Sequence, residues 1–228
     1  MDLLKVVADF VWGPPLIIFL IGVGLWLTIR LKFIQLRFLV YGFQIMTGRH
    51  EEEEAAEKEA KGDISSFQAL ATALSATIGT GNIVGVAGAI LIGGPGALFW
   101  MWLSAAFGMA TKYGEALLAV KYREETVTGF SGGPMYYLKN GLGMTKLAAL
   151  FSFLTVIAAL GIGNMVQINS AAGSLEASVL SIPREITTAL VTVLVGLVIF
   201  GGISRIGKVA ASLVPVMAGL YVLSALTI

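Results

Sequence analysis

The sequence predicts an all-α membrane protein with six transmembrane helices, from its composition, its long uncharged segments and the placement of its basic residues. Of 228 residues 57% are hydrophobic and 13% are charged, against about 25% charged in a typical soluble domain. A span needs about 20 apolar residues. Uncharged runs of that length or more cover residues 10–29, 64–111, 147–175, 186–204 and 209–228. The sequence GGPG at 93–96 divides the second run into two helices, which makes six.

The basic residues support this topology because cytoplasmic loops of membrane proteins collect Lys and Arg. The first, third and fifth loops contain Arg30, Lys32, Arg37, Arg49, Lys58 and Lys61, then Lys121, Arg123, Lys139 and Lys146, then Arg205 and Lys208. The GGPG turn has none, and the loop between the fourth and fifth helices has Arg184 alone. The alternation predicts an N-terminus outside the cell.

The composition also restricts the chemistry. The chain has no Cys, one His and a formal net charge of +1. Disulfides, thiolate nucleophiles, zinc sites with Cys and sites with two His are therefore excluded, and no basic excess suggests nucleic acid as a partner. No Ser at membrane depth has a His, Lys or Asp beside it, so an intramembrane enzyme is disfavoured.

The predicted organisation has three parts: an N-terminal helix at 1–32, a cytoplasmic segment at 33–63, and a five-helix region at 64–228. Residues 33–46 mix apolar and basic side chains, which suits a short helix in the inner interface. The acidic sequence at 50–61 is expected to be a solvated helix or loop, and His50 beside it an inert residue. Gly132-Gly133-Pro134 predicts a turn before a short helix.

The second predicted helix contains Thr77-Ile78-Gly79-Thr80-Gly81-Asn82 at mid-membrane depth. Two glycines flanking a threonine are poor helix formers, so we expect a break at residues 78–81. A break at that depth presents amides at the start of one half-helix and carbonyls at the end of the other. The alternative is that Gly81 and Gly85 form a G-x-x-x-G packing face, which would leave the polar residues unexplained.

Other polar residues also fall within the predicted spans. Asn164, Gln167 and Ala171 lie at i, i+3 and i+7 of the fourth helix, which predicts a shared stripe. This stripe serves either hydrogen bonding between helices or contact with substrate by Gln167. Lys112 and Glu115 are expected to pair with each other. Trp100 and Trp102 are expected to anchor the outer interface.

Five segments resemble the alanine or glycine:cation symporter family, the sodium:alanine symporters of the amino acid-polyamine-cation superfamily. They are ATIGTGNIVGVAGAI, GGPGALFWMW, GMATKYGEALLAVKYR, SGGPMYYL and GIGNMVQINS. The resemblance implies a LeuT-type fold, in which an extra N-terminal helix precedes two inverted five-helix repeats and the first core helix is discontinuous. The six predicted helices match the extra helix and the first repeat.

The resemblance also implies roles for individual residues. The amides of Thr80 and Gly81 would bind the substrate carboxylate, and the Thr77 carbonyl the ammonium. Asn82 would orient the turn or reach a cation, and Gln167 would contact substrate. The carbonyls of Ser75 and Ile78 would bind sodium, the coupling ion, because an all-oxygen neutral shell suits this hard cation.

The implied function is sodium-coupled symport of a small neutral amino acid such as alanine or glycine, with no other cofactor. The partners would be that amino acid, sodium and the lipid bilayer of a bacterial or archaeal plasma membrane. Half of the implied site would come from a second repeat, so we expect the chain to be a fragment that is inactive alone. An ion channel is the rival reading, although a carbonyl filter requires symmetry around one axis.

Overall fold

The structure is a computed structural model that describes residues 2–46, 64–127 and 129–227. It is predominantly helical, in agreement with the predicted all-α membrane protein. The acidic sequence at 50–61 and His50 lie outside the described residues. The helices within residues 2–46 are α1 (Asp2–Val11), α2 (Pro14–Arg30), α3 (Ile34–Arg37) and α4 (Leu39–Met46).

The remaining helices follow in the order that the sequence predicts. They are α5 (Ser66–Thr77), α6 (Val86–Gly93), α7 (Gly96–Lys121), α8 (Pro134–Tyr136), α9 (Thr145–Ala158), α10 (Val166–Glu176), α11 (Arg184–Ile199) and α12 (Gly202–Thr227). Three π-helical segments are interposed: π1 (Gly81–Gly85), π2 (Tyr137–Gly141) and π3 (Ala159–Met165). Strands β1 (Glu124–Thr126) and β2 (Gly129–Ser131) pair in the loop after α7. The sequence analysis did not predict this hairpin.

Within the described residues, three helical stretches are long and apolar enough to cross a membrane, at residues 5–30, 145–176 and 202–227. The bent pair formed by residues 66–77 and 81–93 makes a fourth. The predicted count of six is therefore not confirmed. Helix α11 has 16 residues, and α7 is 26 residues long but includes Lys112, Glu115 and Lys121, so neither has the length and composition of an unambiguous span.

The predicted boundary between the last two helices was wrong. Arg205 and Lys208 were expected in a loop, but α11 ends at Ile199 and α12 begins at Gly202. Gly202 makes the turn with a φ of +68°, a conformation that glycine adopts without steric cost. The basic side chains lie in the first turns of α12, so these charges did not mark a loop between the two helices.

The described chain forms two compact units. The first comprises Met1–Phe43, Ala89–Glu125 and Ser131–Ala148; the second comprises Gln44–Gly88, Thr126–Phe130 and Ala149–Ile228. This division follows packing, and the three-part organisation at 1–32, 33–63 and 64–228 stays a prediction. The short helices α3 and α4 agree with the helix expected at 33–46, and α8 after Gly133 (φ +123°) agrees with the expected turn.

In the first unit, α2 packs closely against α7 through a glycine. A Cβ at Gly24 would lie 2.9 Å from Phe107 Cβ and 3.0 Å from the Phe107 carbonyl oxygen. The buried Thr28 hydroxyl donates to the Gly24 carbonyl at 2.8 Å and accepts from Gln35 Nε2 at 3.0 Å. Gln35 Nε2 also donates to the Ala106 carbonyl at 3.3 Å. The small residue thus allows a buried polar contact between the helices to form.

We expect Gly24→Ala to destabilise this pair by about 1–3 kcal/mol, because the new methyl would meet backbone atoms that cannot move independently. Gly22→Ala is the matched control, since a Cβ at Gly22 meets no atom within 4 Å. The measurement is the thermal unfolding midpoint of each variant in detergent. Equal midpoints for the two variants would show that α2 and α7 do not pack as described.

The loop after α7 is held by an ion pair that responds to pH. Glu124 Oε1 accepts from Lys139 Nζ and from Asn140 Nδ2, each at 2.9 Å, and Asn140 Nδ2 also donates to the Tyr122 carbonyl at 3.3 Å. The hydrogen bond from Lys139, then that from Asn140, lowers the pKa of Glu124. The hydrogen bond to Glu124 raises the pKa of Lys139.

The signs of these shifts define the pH range in which the loop is held. A lowered carboxyl pKa means that the contact is fully present above the ordinary pKa of Glu and is lost as pH falls through the lowered pKa. The raised pKa of Lys139 means that the contact is lost again as pH rises through that value. We expect Glu124→Gln to abolish the acid transition, as followed by the Asn140 side-chain NMR signal, while Glu125→Gln retains it.

The second unit is organised around α5 and α12. Ser65 and Gln68 begin α5 with reciprocal side-chain-to-backbone hydrogen bonds, a capping box. The small buried side chains of Ala71, Ala210 and Val214 form the contact between these helices. Helix α10 is joined to α11 by an ion pair between Glu176 and Arg184. The segments that carry the candidate site, at residues 66–88 and 149–176, belong to this unit.

Candidate functional site

The helix predicted to be broken is broken where expected. Helix α5 ends at Thr77, and the Ile78 N–H makes the last helical bond, to the Leu74 carbonyl at 2.8 Å. Ile78 itself is extended, with φ −80° and ψ 112°. The chain resumes as a helix over Gly81–Gly93, bent by 59° from α5. The prediction of a break at residues 78–81 is confirmed.

Asn82 closes the turn at the break. Its backbone N–H donates to the Gly79 carbonyl at 3.0 Å, and its side-chain Oδ1 accepts from the Gly79 N–H at 3.3 Å. This reciprocal pair resembles a capping box, in which a side chain accepts a hydrogen bond from an amide that has no partner within the helix. Of the two roles expected for Asn82, the geometry corresponds to orienting the turn.

Gln167 faces the break from α10. Its Oε1 accepts from the Thr80 N–H at 3.3 Å, across 87 positions of sequence. A Cβ at Gly79 would lie 2.8 Å from Gln167 Nε2 and 3.2 Å from its Oε1. Gln167 is thus directed at Thr80, and Gly79 must be small for this approach to occur; the expected contact of Gln167 with substrate stays a prediction.

The break also leaves helical carbonyls without their ordinary donors. In a continuous helix the Ser75 carbonyl accepts from Gly79, and the Ile78 carbonyl from Asn82. Here the Gly79 N–H is directed to a side chain and the Asn82 N–H to the Gly79 carbonyl. Both carbonyls named as sodium ligands from the sequence are therefore released from the regular helical pattern.

The hydroxyl groups near the break behave differently from one another. Thr77 Oγ1 donates to the Ala73 carbonyl and Ser75 Oγ to the Thr72 carbonyl, each at 2.7 Å. These hydroxyls are directed along their own helix. Thr80 is half-buried, and its hydroxyl has no hydrogen-bond partner among the described residues. Thr80 is thus the residue at the break with a hydroxyl free to bind a ligand.

The π-helical segments were missed by the sequence analysis. Segment π1 directly follows the break, and π3 directly precedes the helix that carries Gln167. A π-helix has i to i+5 bonding, takes more residues per turn and changes the direction of side chains relative to an α-helix; such segments occur often at functional sites. The Gly161-Ile162-Gly163 sequence could have indicated that the helix is irregular at π3, because glycine weakens regular α-helical structure.

Segment π3 contains the first residue of the expected stripe. Asn164 lies within π3, whereas Gln167 and Ala171 are four residues apart in the regular helix α10 and share a face. Ala171 is exposed, whereas the neighbouring Ala172 is buried, with 2% of its surface accessible. Asn164 and Asn169 are exposed. The stripe shared by Asn164, Gln167 and Ala171 therefore stays a prediction.

The predicted charge pair in α7 is confirmed. Lys112 Nζ lies 2.9 Å from Glu115 Oε2, and both side chains are exposed. Trp100 and Trp102 are also exposed, and their interfacial role stays a prediction. Among the described residues, no group of three or more His, Asp or Glu side chains could hold a metal ion. The candidate site is built from neutral backbone and side-chain groups.

A comparison with known protein families identifies the family of the chain. The model of the sodium:alanine symporter family matches residues 1–228. The chain belongs to the sodium:alanine symporter family. It is thereby a member of a family of membrane transporters, and its apolar helices suit a multi-pass membrane protein.

Curated relatives with similar sequences come from bacteria and archaea. The chain is 50% identical over 229 residues to an uncharacterized transporter of Haemophilus influenzae, which covers 100% of this chain and 48% of the relative. It is 49% identical over 232 residues to the sodium/alanine symporter AgcS of Methanococcus maripaludis, covering 100% and 50%. It is 40% identical over 215 residues to the probable sodium/glutamine symporter GlnT of Bacillus subtilis, covering 94% and 43%. The chain spans about half the length of the curated relatives it matches.

Proposed function

We propose that this chain forms the first half of a sodium-coupled symporter for small neutral amino acids such as alanine or glycine, which works by alternating access. The observation that carries the proposal is the broken helix, whose Thr80 amide is approached by Gln167, in a member of this family. A broken helix at membrane depth supplies donors and acceptors without placing a full charge there.

The substrate carboxylate would bind at the start of the second half-helix. The amides of Thr80 and Gly81 lie at its positive end, where an anion is favoured, and the free Thr80 hydroxyl adds a donor. The Thr77 carbonyl, at the end of α5, would accept from the substrate ammonium. The negative end of α5 favours this positive group for the same reason. The two ends of the break thus match the two ends of a zwitterion.

Sodium would be bound as a co-substrate by the carbonyls of Ser75 and Ile78. The support is that both lack the donor which a continuous helix would supply. Neutral oxygens are suitable ligands for a hard cation. Asn82 holds the turn that exposes the Ile78 carbonyl, so it would influence sodium binding even without touching the ion.

The remaining ligands would come from a second five-helix repeat related to the first by inversion. We propose a LeuT-type arrangement of six helices in this chain, with the N-terminus outside, in the plasma membrane of a bacterium or archaeon. Sodium and substrate would lie between the break in this chain and the second repeat. Movement of one repeat against the other would then open the site alternately to each side.

Uptake by a chimera tests the proposal. Residues 1–228 are joined to the second half of the Methanococcus maripaludis symporter and reconstituted in liposomes. We expect uptake of radiolabelled alanine that depends on an inward sodium gradient and disappears when choline replaces sodium. Sodium current that is independent of amino acid would support the channel instead, and a released hydrolysis product would support an enzyme.

A further inference from the structure

A side chain of the protein itself lies at the proposed carboxylate subsite. The amide proposed to bind the substrate carboxylate, that of Thr80, donates to the side-chain oxygen of Gln167 at 3.3 Å. A carboxamide oxygen and a carboxylate oxygen are both acceptors, and they compete for one N–H. A ligand must therefore break this contact before it can use the Thr80 amide.

We propose that Gln167 is a tethered competitor for the carboxylate subsite, held over Thr80 in the empty state and displaced when an amino acid binds. This inference rests on the proposed function, since it concerns the same subsite. It adds that the Gln167 side chain covers the Thr80 amide when no substrate is bound. The Thr80 amide then always has a hydrogen-bond acceptor. An unpaired N–H group in an apolar environment would cost free energy.

The local geometry favours displacement over a permanent structural bond. Gln167 reaches Thr80 through the end of a flexible side chain, and a neutral hydrogen bond of this kind contributes modestly to stability. A carboxylate forms stronger, charge-assisted hydrogen bonds with the same donor. The neighbouring Gly79 amide is held differently, because its acceptor Asn82 belongs to the same turn. The Thr80 amide is accordingly the exchangeable one.

Displacement also releases an acceptor beside the ligand. Once its oxygen leaves Thr80, Gln167 can accept from the ammonium of the incoming amino acid. The protein would exchange one internal hydrogen bond for two with a zwitterion. A carboxylate without an ammonium, such as acetate, would gain the first contact alone. Acetate consequently separates competition for Thr80 from any direct contact between Gln167 and the ammonium.

The test uses the 228-residue chain in detergent, with sodium acetate as the probe and sodium chloride at equal concentration as the blank. The Thr80 amide signal is followed by NMR. We expect Gln167→Ala to lower the acetate concentration that gives half of the shift by about three- to tenfold. We expect Gln167→Glu to raise it above that of the unsubstituted chain, because a tethered carboxylate is a stronger competitor.

Asn169→Ala is the matched control, since it removes an exposed carboxamide from the same helix and should leave the acetate response unchanged. Opposite effects of Gln167→Ala and Gln167→Glu are not expected from a merely structural contact. An unchanged or weakened acetate response in Gln167→Ala would overturn the proposal, and so would the absence of a response in all variants. Failure of sodium-dependent alanine uptake by the chimera, with the acetate responses intact, would overturn the proposed transport and leave the competitor in place.

Discussion

Gln167→Leu is expected to lower sodium-dependent alanine uptake by the chimera about tenfold or more. The substitution keeps the approximate size of the side chain but removes both its donor and its acceptor. A polar group of the bound amino acid would then be left without a partner, at a cost of about 1–3 kcal/mol, and 1.4 kcal/mol corresponds to a tenfold change. The measurement is the initial rate of alanine uptake over a range of alanine concentrations.

Asn169→Leu is the control for this substitution, because it introduces the same side chain two residues further along α10, at an exposed position. We expect it to retain uptake close to that of the unsubstituted chimera. If Gln167→Leu also retains uptake, Gln167 does not contact the substrate, and the hydrogen bond to Thr80 would have only a structural role.

The opposite responses expected for acetate and alanine follow from one mechanism. Removal of the Gln167 carboxamide leaves the Thr80 amide open to acetate, which has only a carboxylate. For alanine, the same removal also eliminates an acceptor for the ammonium. If Gln167 only bound the substrate, its removal would reduce the response to both acetate and alanine. If Gln167 only competed with the substrate, its removal would increase both responses.

The break could be predicted because its cause is local. Glycines on both sides of Thr80 weaken the helix, and an asparagine two residues later provides the side chain that closes the turn. The approach of Gln167 could also be anticipated, since a carboxamide in an apolar helix must find a partner. Neither conclusion required the position of a distant element to be known in advance.

Other features depend on how helices pack, and the spacing of polar and apolar residues along the chain does not predict them. The π3 segment is one of them, since its wider turn departs from the α-helical spacing expected around Asn164. The turn at Gly202 separates α11 from α12 several residues before the charges that were used to locate it. The hairpin of β1 and β2 forms in a loop with few apolar residues and little periodicity.

The chain alone, residues 1–228, is expected to bind alanine at least 100-fold more weakly than the chimera does. Thr80 and Gly81 would bind the carboxylate from one side, and an incompletely paired charge in an apolar environment costs several kcal/mol. Gln167 is exposed although it reaches the break, so the described residues of the second unit leave this side of the break open. The measurement is sodium-dependent alanine binding by isothermal titration calorimetry, with the two proteins in the same detergent. Micromolar binding by the chain alone would show that these residues form a complete site, and the proposal of a site shared between two repeats would be wrong.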